Sequence, residues 1–155
     1  MKKQVILLLS RVFPKYHHKK GRPTGFREAL GKTKIHTIRP SYEQWRHNLD
    51  KVIDGDFVCS VREWSGLPYK SQQTEFTTYA GHQIGYQRIS MTYDPTTDDL
   101  KAVIDGRPVR DNEALARNNG LSLPDFKEWY FGSVKSMSKQ FFSGIVIHFT
   151  TYRYQ

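Results

Sequence analysis

The sequence predicts a single α+β domain in which short strands form a small mixed β-barrel flanked by short helices. Two observations lead to this prediction. Strand-length segments with apolar or alternating character, such as FVCSVREW from Phe57 to Trp64, are interspersed with segments of helical spacing. At 155 residues and 37% hydrophobic composition, the chain is long enough for one domain with a real core and short for two. We therefore take 1–155 as one unit.

The elements follow one another at short intervals, separated by turn residues. Asp111 and Ser122 stand where helix N-caps are expected, and Asn119-Gly120 stands where the first of those two helices should end. The middle of the chain, about 72–108, has the pattern of a β-hairpin system. We predict strands over 4–12, 35–39, 57–64, 74–79, 83–93, 100–104 and 141–152, and helices over 25–30, 41–52, 111–118 and 122–131.

The net charge of +9 is concentrated at one end of the sequence. Residues 1–47 contain 12 of the 24 Lys and Arg but only two of the 15 Asp and Glu, a net of +10, so the rest of the chain has a net of −1. This asymmetry predicts an electropositive face suited to a polyanion, most simply RNA or DNA phosphates. A generic basic protein is the alternative.

Cysteine content and hydropathy point to a reducing compartment. Cys59 is the single cysteine, so it has no partner for an intrachain disulfide. No apolar run approaches the roughly 18 residues of a membrane span, and the run Val5 to Leu9 is shorter than the core of a signal peptide. We expect a cytoplasmic protein that does not insert into membranes.

The segment KTKIHTIR, Lys32 to Arg39, is the strongest candidate site. As a short strand it places Ile35, Thr37 and Arg39 on one face, with Lys34 in the turn just before it. An amine, a hydroxyl and a guanidinium would then converge on an anionic or carbonyl-bearing ligand. An edge strand with a solvated basic face explains the same spacing.

Two further segments have ligand-binding side chains. In the basic loop KYHHKKGRPT, His17 and His18 are adjacent, so their side chains should diverge, and no third metal ligand stands at recognisable spacing. We expect phosphate contact or simple exposure there, with no metal and no cofactor. In the loop WSGLPY, Trp64 and Tyr69 could stack on a base or equally plug the end of the barrel.

KIHTIR resembles the signature of the ASCH domains, a branch of the PUA-like superfamily. That signature is a glycine, a lysine two residues on and an arginine five residues later. Lys34 and Arg39 match it, whereas Lys32 stands at the glycine position and Gly31 comes one residue early. The resemblance covers roughly 25–70 and 111–150 and implies a PUA-like barrel. The region 72–108 has no counterpart in the short members and is expected to be a hairpin insertion.

Within that family the chain is most similar to small bacterial amidohydrolases that deacetylate N4-acetylcytidine. Their implicated residues are a lysine, a threonine and a glutamate; Lys34 and Thr37 match the first two, and Asn119 stands at the glutamate position. Asparagine cannot exchange a proton at neutral pH. Either Glu63 or Glu113 takes the place of the catalytic glutamate from another part of the chain, or the pocket binds its ligand without hydrolysing it. We favour the second alternative.

The sequence therefore predicts a domain that binds RNA or a modified nucleobase in a basic cleft. An amidohydrolase that uses Lys34 and Thr37 is the first alternative. A protein-interaction module on the hairpin region is the second. The predicted ligand-binding residues are Lys32, Lys34, Thr37, Arg39, Trp64, Tyr69 and Asn119.

Overall fold

The computed structural model describes residues 2–132 and 138–155. Within these ranges it is an α+β structure with eight strands in two sheets and four α-helices. The strands are β1 Lys3–Leu8, β2 His36–Pro40, β3 Phe57–Trp64, β4 Gln73–Ala80, β5 Gly85–Asp94, β6 Asp99–Ile104, β7 Arg107–Pro108 and β8 Gln140–His148; the helices are α1 Phe26–Ala29, α2 Tyr42–Ile53, α3 Asn112–Asn118 and α4 Leu123–Phe131.

The two sheets differ in how their strands are connected. The smaller sheet has the order β1-β3-β4, in which β1 runs parallel to β3 and β4 runs antiparallel. The larger sheet has the order β2-β8-β5-β6-β7, and all of its pairs are antiparallel. β8 lies between β2 and β5, and its consecutive residues Ile145, Val146 and Ile147 are all fully buried. Such a continuously apolar strand needs cover on both faces.

Helix α2 links the two sheets. It contacts strands of both, and its buried residues Leu49 and Val52 join a core that includes Cys59 and Val61 of β3. The helix predicted over 41–52 is confirmed, with its observed end one residue later. None of the helices in the described ranges is long and apolar enough to span a membrane.

The α+β class is confirmed, but the described strands do not form the predicted closed barrel. β1 and β2 are edge strands of different sheets and do not pair with each other. The Arg39 guanidinium instead donates a hydrogen bond to the carbonyl of Leu8, the last residue of β1. A side-chain hydrogen bond therefore connects these two edge strands, which do not pair through their backbones.

The region 72–108 is divided between the sheets. β4 pairs with β3 in the smaller sheet, whereas β5 and β6 form a hairpin in the larger one. β5 also pairs with β8 along nine positions and contributes Ile89 and Met91 to the core. The hairpin is present, and both of its strands have a neighbour on each side in the larger sheet.

Two predicted strands end earlier than expected. The first ends at Leu8 rather than Val12, which makes only an isolated bridge with Pro23. The last ends at His148 rather than Tyr152 because both of its neighbours begin opposite His148, β2 at His36 and β5 at Gly85. Beyond that point no strand is available to pair with it.

Gly144 lies where β8 pairs with β2, and a side chain there would separate the two strands. A Cβ at this position would overlap the Arg39 carbonyl oxygen. We expect Gly144→Ala to lower the free energy of unfolding by about 1–3 kcal/mol, the usual cost of overpacking. Ser143→Ala, an exposed change on the same strand, is the control. Equal urea unfolding midpoints for the two variants would contradict the prediction.

Candidate ligand-binding cavity

A cavity of about 280 Å³ lies at the seam between the two sheets, beside the end of β1 and the length of β2. The sequence predicted a site on KTKIHTIR, and three of the segment's predicted ligand-binding residues line this cavity, Lys34, Thr37 and Arg39, together with Ile38. Asn119, which comes from the turn after α3, lines it as well. The structure thus brings together four predicted residues from two segments that lie far apart in the sequence.

Lys34 is buried, with 1% of its surface exposed. Its Nζ donates to the carbonyl of His36 at 3.1 Å and to that of Asn119 at 2.7 Å, and it lies 4.2 Å from the centre of the Phe26 ring. Gly120 makes this packing possible, because a Cβ there would lie 3.2 Å from Lys34 Cδ. Burial lowers the pKa of Lys34 well below its usual value, and the charge of Arg39 lowers it further.

Thr37 and Arg39 share one face of β2, as the strand alternation predicted. Arg39 Nε donates to Thr37 Oγ1 at 3.4 Å, and the guanidinium also donates to the Leu8 carbonyl. Because the Thr37 oxygen accepts that hydrogen bond, its own proton remains available to a ligand. The guanidinium stays charged and offers more donors than these two acceptors use.

Asn119 is fixed from two sides. It is 3% exposed; its Oδ1 lies 3.1 Å from Nδ1 of His36, and its Nδ2 donates to the Tyr130 hydroxyl at 3.0 Å. Tyr130 in turn donates to the carbonyl of Ile38 at 3.1 Å. The carboxamide is therefore held rigidly at the cavity wall.

Aromatic side chains form much of the remaining wall, and the sequence did not reveal them as a set. They are Tyr16, Phe26, Trp129, Tyr130 and Phe142. The Tyr16 hydroxyl donates to the Trp129 carbonyl and so ties the basic loop to α4. Trp129 and Tyr130 lie close to Asn119 in the sequence, so they could have been predicted to share its site. No sequence pattern links Tyr16 to Trp129.

Other predicted residues lie outside the cavity. Lys32 is exposed in the turn before β2, and Tyr69 is 89% exposed in a loop, with its ring 5.2 Å from that of Trp64. Glu63 pairs with Arg27 at 3.3 Å, and Glu113 lines a different depression. No carboxylate is present among the described residues that line the cavity.

The sequence analysis expected the side chains of the two adjacent histidines to diverge, and this prediction is wrong. Their rings stack 4.9 Å apart, and candidate ligand atoms of His17, His18 and Asp125 lie within 4.8 Å of one another. The basic loop approaches α4 closely here, which no local spacing indicates. These are residue types that could hold a metal.

The hydrogen bonds of this cluster favour a clamp between the basic loop and α4. Lys19 Nζ already neutralises Asp125 at 2.6 Å, and the Lys19 backbone N–H donates to Nδ1 of His17 at 3.1 Å. His17 Nε2 therefore carries the ring proton and directs it at the Asp125 carbonyl, 3.2 Å away. Metal ligation through Nε2 would require that proton to move to a nitrogen that already faces a donor.

Two buried histidines lie behind the cavity. His36 and His148 are fully buried, with ring centres 5.7 Å apart. Burial lowers the pKa of His148 to about 3, and Arg153 contributes. Burial lowers the pKa of His36 well below its usual value, and His148 and Lys34 lower it further. Both imidazoles are neutral near pH 7.

Searches against protein-family models, curated proteins and solved structures find no match to this chain.

The neutral histidines predict that the protein loses stability on mild acidification. The unfolded chain binds a proton at each histidine below about pH 6.5, whereas the folded chain does not, so the free energy of unfolding falls as the pH drops. At pH 5 His36 and His148 should each lower the free energy of unfolding by about 2 kcal/mol relative to pH 7.5. His148→Gln should remove its share of this loss in urea unfolding, while Lys34, whose pKa is also lowered, is present in both proteins. An unchanged pH dependence in the variant would refute this assignment.

Proposed function

We propose that this chain is an ASCH-type domain of the PUA-like superfamily that binds RNA or a modified nucleobase in the cavity between β1 and β2. The observation that carries the proposal is the convergence of Lys34, Thr37, Arg39 and Asn119 on one aromatic-walled cavity. A cavity of about 280 Å³ is near the lower end of small-molecule sites and suits one heterocyclic base. Aromatic walls and a few fixed polar groups are the usual means of holding a flipped-out base.

The charge around the cavity supports a nucleic acid over a neutral metabolite. Arg11, Lys15, Lys20 and Arg22 are exposed in the segment that contributes Tyr16 to the cavity wall. None of these four has an ion-pair partner in the part of the chain that the structure describes. Phosphates on either side of a bound base could contact them, which would make binding salt-dependent.

Fluorescence anisotropy with a short single-stranded RNA containing one N4-acetylcytidine tests this function. We expect log K to fall by about 0.7 for each phosphate neutralised per tenfold increase in salt. Arg39→Gln should weaken binding about 10- to 100-fold because it removes a charged donor from a buried site. The control Lys101→Gln removes the same charge from an exposed position on β6. Salt-independent binding, or equal effects of the two variants, would contradict the proposal.

A second function, amide hydrolysis, is favoured by the state of Lys34. The lowered pKa of Lys34 favours its neutral amine, which shares a cavity with the Thr37 hydroxyl and in that form could take the hydroxyl proton as the oxygen attacks an acyl carbon. The C–N bond would then break, with the proton passing from Lys34 to the leaving nitrogen, and water would hydrolyse the threonine ester to the free acid. Asn119 could hydrogen-bond the substrate but could not replace a proton-transferring carboxylate.

Incubation with N4-acetylcytidine, followed by chromatography of released cytidine, decides between binding and turnover. If the protein is an enzyme, Lys34→Met and Thr37→Val should each lower the rate by at least about 100-fold, the usual contribution of a general base. The control Lys32→Met changes an exposed lysine two residues away. Release that survives in the Lys34 variant would come from a contaminating amidase. No release from the wild-type protein would exclude hydrolysis of this amide and leave the binding function.

A further inference from the structure

A continuous chain of hydrogen bonds runs from the C-terminal segment to the cavity wall. Asn118 Nδ2 lies 3.1 Å from the Tyr154 hydroxyl, which lies 2.7 Å from Nε2 of His36. The other nitrogen of that imidazole contacts Oδ1 of Asn119 at 3.1 Å, and Asn119 Nδ2 contacts the Tyr130 hydroxyl at 3.0 Å. Each member is buried or partly buried, so water is not a ready substitute for a lost partner.

The direction of this chain is set by one backbone group. The carbonyl of Ile38 can only accept a hydrogen bond, so the Tyr130 hydroxyl must donate its single proton to it, at 3.1 Å. Burial raises the pKa of Tyr130 to about 12, so that proton is present throughout the neutral range. Any other group at the Tyr130 oxygen has to be a donor. The carboxamide of Asn119 must therefore turn its NH₂ group towards Tyr130 and its oxygen towards His36.

The same reasoning fixes the tautomer of His36. The Asn119 oxygen needs a donor, so Nδ1 of the imidazole carries the proton. The ring is neutral, because its burial strongly disfavours a charge. Nε2 is then an acceptor, and the Tyr154 hydroxyl must donate to it while accepting from Asn118. Each hydrogen bond in the chain then joins one donor to one acceptor, and reversing any member leaves two like groups facing each other.

We propose that this chain of hydrogen bonds holds Asn119 with one N–H directed to the cavity. The site would then select ligands that have a hydrogen-bond acceptor at that point. The Asn119 oxygen is occupied by His36, whereas only one of its two N–H groups is used by Tyr130. The ligand atom that pairs with this remaining N–H is thus a carbonyl oxygen or an unprotonated ring nitrogen, as on the pairing edge of cytosine. Tyr154 is a positioning residue that acts through His36.

This inference rests on the proposed function, since it concerns the ligand of the same cavity, but its first test needs no ligand. Nitrogen-15 spectra of histidine-labelled protein distinguish protonated from unprotonated ring nitrogens, and His36→Gln identifies the His36 signals by their loss. We expect a protonated Nδ1 and an unprotonated, hydrogen-bonded Nε2 in the wild-type protein. Tyr154→Phe should shift the Nε2 signal, whereas Tyr152→Phe, an exposed neighbour, should not. A protonated Nε2, or identical spectra for the two variants, would overturn the inference.

The second test uses Asn119→Asp, which replaces the NH₂ group with an acceptor of the same shape. Binding of N4-acetylcytidine, measured by calorimetry, should weaken about 10- to 100-fold, because two acceptors would then face each other in a buried site. Tyr154→Phe should weaken it about three- to tenfold, the effect of one lost hydrogen bond. Asn48→Asp adds the same charge on α2 and should leave binding unchanged. Undiminished binding by Asn119→Asp would overturn the proposed role of Asn119.

The two tests separate this inference from the function on which it rests. If neither N4-acetylcytidine nor the RNA binds the wild-type protein, the proposed function fails, and the histidine spectra alone decide the orientation of Asn119. If the wild-type protein binds and the spectra show the opposite tautomer, the function stands and the inference fails. Thermal unfolding of each variant confirms that a loss of binding is not a loss of folded protein.

Discussion

The buried amine of Lys34 is the interaction on which the site depends. It joins the His36 carbonyl of β2 to the Asn119 carbonyl at the end of α3, two segments that are otherwise far apart in the sequence. A buried lysine that retained its charge would carry a large desolvation cost, and the nearby Arg39 raises that cost further. A lowered pKa reduces this cost because it favours the neutral amine. The burial of Lys34 thus has two effects: it places the amine between the two carbonyls, and it lowers the pKa of the amine.

The cavity lies beside the ends of two edge strands from different sheets. β1 and β2 do not pair with each other, and the Arg39 side chain donates a hydrogen bond to the carbonyl at the end of β1. Polar groups of β2 therefore line a small cavity that also has aromatic rings in its wall.

Buried polar groups behind the cavity hold Asn119 in position through a chain of hydrogen bonds. Histidines, tyrosines and carboxamides are buried there as a directed chain, and such networks specify one arrangement only when every member has its partner. Neutral imidazoles are part of that arrangement, so the feature that orders the site also makes the fold sensitive to acid. The C-terminal segment thus takes part in holding Asn119 through the hydrogen bond between Tyr154 and His36.

The sequence by itself determined the α+β class, the bounds of β3 and the positions of helices α2, α3 and α4. Each of these depends on local periodicity and capping, which short-range spacing records. It also placed Lys34, Thr37 and Arg39 together, because a turn and a strand fix their relative positions. Tertiary structure alone decided that the barrel stays open, that β5 lies inside the larger sheet, and that Tyr16 and Trp129 share a wall. Those outcomes depend on contacts between residues far apart in the chain, which no local pattern encodes.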